Sequence, residues 1–296
     1  MRLCTFTGAD GAPRLGAVTG AGVLDLAQLS GGGLPGTMLG FIEAGAPALF
    51  QAAALLREAD TTLAVPLDQV RLLAPLPRPP KGVIGIGLNY AEHVAESART
   101  MDTQKEMPSH PVIFIKPPTA VIGPGAAIPH DARITRQLDW EGELGVVIGQ
   151  RTKHATEDTA MASVFGYTIV NDISARDCRH GGQWTFAKGQ DGFAPTGPWI
   201  VTADEIADPH ALRIGLNVNG VSKQDGTTAQ MIFRIPRLIA HLSSAMTLEP
   251  GDVIATGSPP GVGISRTPPE FLWPGDEVEA WVEGIGSLRN PVVAVA

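Results

Sequence analysis

The sequence is poor in charged residues, aromatic residues and cysteine. Charged residues make up 18% of the 296 residues and aromatic residues 5%, so the core must be built mainly from Ala, Val, Leu and Ile. Cys4 and Cys178 are the only cysteines, too few for a disulfide framework in a chain of this length. We therefore expect two reduced thiols.

The chain also lacks a basic cluster and a long apolar run. Lys and Arg total 22 against 30 for Asp and Glu, and the net charge of -8 disfavours binding to nucleic acid. Residues 1–8 lack the apolar core of a signal peptide, and we find no run of roughly 18 apolar residues that could cross a membrane. These absences predict a cytoplasmic protein whose partners include neither nucleic acid nor a membrane.

Glycine and proline are abundant, with 35 and 25 residues, which indicates many turns between short strands. Helices are predicted over Asn89–Ala98 and Ile235–Met246, and strands do not alternate regularly with helices, which disfavours Rossmann and barrel folds. We expect a strand-rich α+β fold. Nine apolar runs predict its strands: Val83–Ile86, Val112–Ile115, Leu144–Ile148, Tyr167–Val170, Trp199–Val201, Ile214–Val218, Val253–Ala255, Val278–Val282 and Pro291–Val295.

A proline-rich segment, Ala74–Pro80, predicts a domain boundary. Its prolines cannot continue a helix or a central strand, so it is expected to be a stiff connector. We predict a small N-terminal α/β domain over residues 1–78 and a larger domain over residues 79–296. Within the first, the patterns predict a hairpin and two helices, over Arg14–Leu26, Thr37–Ala44 and Ala48–Glu58.

Three carboxylates form the first candidate constellation. Glu141 and Glu143 are two residues apart at an apolar strand, so both side chains leave the same face with Cα atoms about 6.6 Å apart. Taken alone, the pair is better explained as the polar face of an edge strand, and Asp172 as a helix cap. Together the three offer an all-oxygen ligand set that suits Mg²⁺ or Mn²⁺ rather than zinc.

A second group of residues could carry acid–base and anion-binding chemistry. His93 and Glu96 are three residues apart on a predicted helix, where a carboxylate could orient an imidazole as a general base. Lys188 lies in a glycine-flanked loop, and Arg176 and Arg179 could bind a substrate carboxylate. Each of these patterns also fits ordinary surface residues and ion pairs.

Several ordered motifs resemble the fumarylacetoacetate hydrolase superfamily, specifically its bacterial acylpyruvate hydrolase-like branch. The resemblance covers Gly82–Val293. An ordered series is far more specific than any single motif. The motifs are Gly87–Tyr90 with His93 and Glu96, Phe114–Pro117, Asp139–Leu144, Asn171–Asp177, Lys188 and Met246–Ile254.

The resemblance implies a mixed β-roll catalytic domain behind a small N-terminal domain, usually in a homodimer. It assigns Mg²⁺ or Mn²⁺ to Glu141, Glu143 and Asp172. It makes His93 and Glu96 the dyad that activates water, on a segment that often closes as a lid, and Lys188 the group that steadies an oxyanion. It also places four residues in the substrate pocket: Arg176, Thr256, Gly257 and Ser258.

The implied reaction is hydrolysis of a carbon–carbon bond in a 2,4-dioxo acid, such as an acylpyruvate or a fumarylpyruvate-like compound. Water activated by His93 would attack the 4-oxo carbon, and the divalent cation would hold the charge of the pyruvate enolate that leaves. The same scaffold supports oxaloacetate decarboxylation and keto–enol tautomerase or hydratase reactions, which stay open as alternatives. A non-catalytic ligand-binding member is disfavoured because all six candidate metal and catalytic residues are present.

Overall fold

A computed structural model describes residues 1–8, 11–92 and 107–295. Within these ranges it has eighteen strands and five α-helices. The first nine strands are β1 Arg2–Thr7, β2 Pro13–Thr19, β3 Gly22–Asp25, β4 Arg71–Leu73, β5 Val83–Gly87, β6 Val112–Lys116, β7 Val121–Ile122, β8 Ile128–His130 and β9 Leu138–Asp139.

The remaining elements follow in chain order. The strands are β10 Gly142–Ile148, β11 Val164–Asn171, β12 Ser174–Ala175, β13 Ala194–Thr202, β14 Arg213–Val218, β15 Val221–Thr227, β16 Val253–Ala255, β17 Glu277–Val282 and β18 Gly286–Ala294. The α-helices are α1 Leu26–Leu29, α2 Met38–Glu58, α3 Glu157–Ala160, α4 Trp184–Lys188 and α5 Ile235–Ala245.

Most strands belong to two mixed sheets. The larger has the order β3-β2-β1-β13-β11-β10-β16-β5-β6, with β4 on β1 and β7 on β13, and the smaller has the order β15-β14-β17-β18-β8. Parallel pairing joins β16 to β5, β13 to β7 and β18 to β8, and the other pairs are antiparallel. Eight of the nine predicted runs lie wholly within strands, and Pro291–Val295 extends one residue beyond β18, so the strand-rich α+β class is confirmed.

Strand β10 shows why the predicted runs are apolar on both faces. Every residue of Gly142–Ile148 is buried, because β11 and β16 flank it in the sheet and other elements cover both faces. Asn219 and Gly220, with φ of 51° and 75°, make the tight hairpin between β14 and β15.

Helix α2 covers both of the helices predicted over Thr37–Ala44 and Ala48–Glu58. Gly45, with φ of 63°, and Pro47 interrupt it, so a kink separates the predicted halves. By length and composition α2 could cross a membrane, with a mean hydropathy of 1.5 over a window that is 22% buried. The non-helical backbone at Gly45 divides α2 into two segments that are each shorter than a span requires, so the expectation that no run crosses a membrane stays a prediction. Core helices of soluble proteins pass the same test.

The N-terminal strands β1–β4 belong to the larger of the two sheets. Strand β1 pairs antiparallel with β13, where Arg2 is opposite Val201 and Leu3 is opposite Ile200. The amino group of Met1 also binds the hydroxyl of Thr202. Strands from both sides of the boundary predicted between residues 78 and 79 therefore share one sheet, and the division into two domains stays a prediction.

Candidate active site

Two neighbouring strands bring the three predicted carboxylates together. Strand β10 begins beside the end of β11, with Gly142 opposite Asn171, so the residues just outside this pair are adjacent. The backbone N–H of Asp172 donates to the carbonyl of Glu141 at 2.8 Å. Glu141, Glu143 and Asp172 are at most 5% exposed, and one oxygen from each lies within 4.8 Å of the others.

The loop after β16 closes the site from the other side. Because β16 pairs antiparallel with β10, its end lies beside the start of β10, and the N–H of Gly257 donates to Glu143 Oε2 at 2.8 Å. Gly257 has φ of +99°, and a Cβ there would lie 2.7 Å from Cβ of Asn89. Asn89 in turn donates to the Thr256 carbonyl at 2.7 Å. The sequence therefore needs glycine at position 257 for this close packing.

Two buried lysines bind the carboxylates. Lys188, on α4, has its Nζ 2.7 Å from Glu141 Oε2 and 2.5 Å from Asp172 Oδ2. Lys116, at the end of β6, donates to Asp172 Oδ1 and to the carbonyl of Ile173. Burial lowers the pKa of Lys116 to about 8. Burial also acts to lower the pKa of Lys188, but Asp172 and Glu141 outweigh it and keep that pKa above its ordinary value.

Arg176 is held by two carboxylates. Its Nε donates to Asp139 Oδ2 at 2.8 Å and its Nη2 lies 2.7 Å from Glu141 Oε1. Asp139 also accepts the N–H groups of Gly263 and Ile264, at 2.6 and 3.0 Å. Asp139 therefore fixes Arg176, which in turn orients Glu141.

This chain of contacts predicts that Asp139→Asn destabilises the fold. The amide would place its NH₂ or a neutral oxygen against a buried guanidinium, and breaking a buried ion pair costs about 3–5 kcal/mol. We expect a matching fall in the free energy of unfolding measured with urea. Asp131→Asn is the control, since Asp131 pairs with the exposed Arg133, and it should leave the midpoint unchanged. Equal midpoints for the two variants would contradict the role of Asp139.

The three carboxylates fit a divalent cation. Burial raises the pKa of Glu143 well above its ordinary range, and the carboxylates of Asp172 and Glu141 raise it further. An ionised Glu143 therefore needs an additional positive charge near it. The donors are all carboxylate oxygens, the ligand type that Mg²⁺ and Mn²⁺ prefer.

A small cavity opens beside the carboxylates. Among the described residues its lining is Ile86, Gly87, Leu88, Glu141, Glu143, Arg176, Arg179, Trp184, Lys188 and Ser258. The structure thus places five predicted site residues at one cavity. Asp172 lies directly behind them, in contact with Lys188.

The other predicted site residues have different positions. Thr256 donates its hydroxyl hydrogen bond to the Leu144 carbonyl at 2.8 Å. Neither Thr256 nor Gly257 is among the residues that line the cavity, so the structure does not place them in contact with a substrate there. Ser258 lines the cavity, with its hydroxyl bound by Gln224 at 2.7 Å. His93 and Glu96 lie outside the described residues, as does most of the helix predicted over Asn89–Ala98.

Sequence reasoning missed two residues of this network, and the structure rejects the alternative in which Asp172, taken alone, caps a helix. No role was given to Lys116 or Asp139, although a lysine at the end of the apolar run of β6 was the available signal for the first. Asp172 does not cap a helix, because both of its carboxylate oxygens bind lysines and Ser174–Ala175 forms strand β12. Burial raises the pKa of the Cys178 thiol, which agrees with its having no catalytic role.

Comparison with known proteins identifies the family. Residues 82–293 match the model of the fumarylacetoacetate (FAA) hydrolase C-terminal domain. The chain therefore belongs to the fumarylacetoacetate hydrolase family, as the sequence motifs indicated, and the match covers the candidate site.

Individual relatives narrow the comparison. The chain is 44% identical over 278 residues to the mitochondrial oxaloacetate tautomerase Fahd2a of Rattus norvegicus, covering 93% of this chain and 85% of that protein. It is 45% identical over 228 residues to the oxaloacetate tautomerase YisK of Bacillus subtilis, covering 76% and 74%. The maleylpyruvate hydrolase of Sphingobium sp. SYK-6, solved with Mn²⁺ and pyruvate, matches with a TM-score of 0.81, 31% identity and full coverage of both chains.

These comparisons confirm some of the predictions made from the sequence and leave others open. They confirm the predicted β-roll fold of the family and support enzymatic catalysis of the family's kind. The manganese-bound neighbour and the buried acidic triad together indicate a divalent metal. Hydrolysis of an acylpyruvate stays a prediction, because relatives with different reactions match this chain.

Proposed function

We propose that this protein catalyses the keto–enol interconversion of oxaloacetate, with a divalent cation at Glu141, Glu143 and Asp172. The reaction moves one proton between C3 and the 2-oxo oxygen and breaks no carbon–carbon bond. The alternative favoured by the sequence, hydrolysis of a 2,4-dioxo acid, uses the same enolate chemistry. Identity of 44% over 93% of the chain to an oxaloacetate tautomerase favours the first reaction.

The observation that carries the proposal is the position of Lys188 between the carboxylates and the cavity. Its ammonium is buried, bound to Glu141 and Asp172, and its pKa is held above the ordinary value by these carboxylates despite burial. A lysine of this kind stays protonated at neutral pH, so it is suited to donate to an enolate oxygen rather than to act as a base.

A divalent cation bound by the triad would act as a Lewis acid toward the 2-oxo and carboxylate oxygens of the substrate. Arg176 holds Glu141 in place for that purpose, and Gly257 does the same for Glu143. For the proton at C3 we retain His93, oriented by Glu96, as the proposed base. That assignment rests on the sequence motif alone, since both residues lie outside the described ranges.

The hydrolase keeps one specific observation in its favour. The maleylpyruvate hydrolase that matches over both full chains was solved with Mn²⁺ and pyruvate, and pyruvate enolate is also the fragment that acylpyruvate cleavage would release. Both reactions therefore require the same metal site and the same lysine. They differ in their products, which is where a test can separate them.

The test is a product analysis by NMR with Mg²⁺ or Mn²⁺ present. Freshly dissolved oxaloacetate should exchange its enol and keto forms faster with the protein, without additional release of pyruvate. Acetylpyruvate should stay intact over the same period. Faster release of pyruvate and acetate from acetylpyruvate would establish the hydrolase instead. Enzyme-dependent release of pyruvate from oxaloacetate would establish the decarboxylase.

A further inference from the structure

Trp184, which lines the cavity, belongs to an aromatic pair that has a cation near each ring. Trp184 and Phe114 stack with ring centroids 5.5 Å apart and an interplanar angle of 30°. Lys188 Nζ lies 5.1 Å from the Phe114 centroid, and Arg179 Cζ lies 4.7 Å from the Trp184 centroid. Lys188 is buried whereas Arg179 is half-buried, so Arg179 occupies the more exposed end of this aromatic pair.

The contact with Trp184 restricts Arg179. A guanidinium held over an indole by cation–π attraction has fewer side-chain conformations to lose when it binds a ligand. The backbone supports this position. The carbonyl of Arg179 accepts the N–H groups of Gly182 and Gln183, at 2.9 and 2.5 Å, in the turn that leads into α4 and Trp184.

Arg176 is the less suitable of the two arginines for a substrate carboxylate. Its Nε and Nη2 are bound to Asp139 and Glu141 respectively, and its side chain is 4% exposed. Recruiting Arg176 would break a buried ion-pair network, which is costly. Arg179 lines the same cavity, and it is half-buried with its guanidinium over the Trp184 ring.

The charges of the buried network indicate how many substrate carboxylates it can hold. Among the described residues, four connected carboxylates face three cations: Asp139, Glu141, Glu143 and Asp172, against Lys116, Arg176 and Lys188. With all groups ionised the network carries one negative charge, and a divalent cation would change this to one positive charge. That balances one substrate carboxylate. A second carboxylate needs a further cation at the cavity, and Arg179 supplies one.

We infer that Arg179 is a specificity-determining residue that binds the second, distal carboxylate of a 2-oxo dicarboxylate, an inference that rests on the proposed function for the choice of substrate. The first carboxylate and the 2-oxo oxygen belong near the triad, and the distal carboxylate extends past Trp184 to the guanidinium. Arg179 thereby selects dicarboxylates such as oxaloacetate over monocarboxylates of similar size.

Binding of two inert ligands tests this directly. Malate and lactate are both 2-hydroxy acids, and only malate has a second carboxylate. Calorimetry on Mn²⁺-loaded wild-type protein should show tighter binding of malate. In Arg179→Gln the affinity for malate should fall about 10- to 100-fold, the range expected for a charge-assisted hydrogen bond, with lactate unchanged. Arg179→Lys should lose less, and Arg133→Gln, at an exposed arginine, should change neither.

Kinetics separate this inference from the proposed function. Arg179→Gln should raise KM for oxaloacetate by a larger factor than KM for phenylpyruvate, a monocarboxylate. If wild-type protein prefers malate through Arg179 but does not interconvert oxaloacetate, the proposed function fails and the role of Arg179 stands. Equal losses for malate and lactate, no loss for either, or no preference for malate in the wild type would overturn the role of Arg179.

Discussion

Glu143→Gln should abolish Mn²⁺ binding and the thermal stabilisation that Mn²⁺ gives to the wild-type protein. Free Mn²⁺ at about 100 times its Kd should stabilise the wild type by about 2.7 kcal/mol, visible as a rise in Tm. The glutamine can still accept the N–H of Gly257 but cannot supply the third charge of the triad. Differential scanning calorimetry with and without Mn²⁺ measures the effect.

Without metal, the order of stability of the wild type and Glu143→Gln should be reversed. Burial and two neighbouring carboxylates raise the pKa of Glu143, so the ionised group is costly when no cation is bound. Glu143→Gln should therefore be at least as stable as the wild type in EDTA, although it is less stable in Mn²⁺. Glu249→Gln, at an exposed glutamate, is the matched control and should respond to Mn²⁺ as the wild type does. A Mn²⁺-dependent rise in Tm that survives in Glu143→Gln would contradict the site.

Lys188→Met should lower kcat for oxaloacetate by about 10²- to 10³-fold, the effect expected when a preorganised donor to a developing oxyanion is removed. Lys116→Met is the matched comparison. Both lysines bind Asp172 and both are buried, but only Lys188 lines the cavity. We expect Lys116→Met to reduce stability while kcat changes by less than about tenfold.

The response to metal adds an independent measurement for these two variants. Lys188 neutralises Glu141 and Asp172, so without it a divalent cation becomes the main compensation for both carboxylates. The Mn²⁺-dependent rise in Tm should therefore be larger in Lys188→Met than in the wild type. If Lys116→Met and Lys188→Met lose kcat equally, Lys188 acts only by supporting Asp172.

Most of the local structure could be predicted from the sequence, but the pairing of strands within the sheets could not. Apolar runs between Gly and Pro turns predict the strands because burial and turn chemistry are local properties. The order in which β10 lies between β11 and β16 depends on contacts between residues that are far apart in the chain. Helix α2 shows the local side of this, since the sequence predicts the two segments that the non-helical residue Gly45 separates.

The candidate site was predictable in part for the same reason. The spacing of Glu141 and Glu143 places two carboxylates on one strand face, and the family motif adds Asp172. The partners of these groups come from distant segments, as with Arg176 and Asp139, which are 37 residues apart. Lys116 was missed because a lysine ending an apolar strand is ordinarily exposed, whereas here it is fully buried against Asp172.

The most direct test of the account is the decay of enol absorbance when freshly dissolved enol-oxaloacetate is mixed with Mn²⁺-loaded protein. We expect the wild type to accelerate ketonisation strongly over the rate with Mn²⁺ alone. Glu143→Gln, at the same protein and metal concentrations, should return the rate to that of Mn²⁺ alone. A wild type that gives no acceleration would contradict the proposed reaction, and a variant as fast as the wild type would contradict its location at the carboxylate triad.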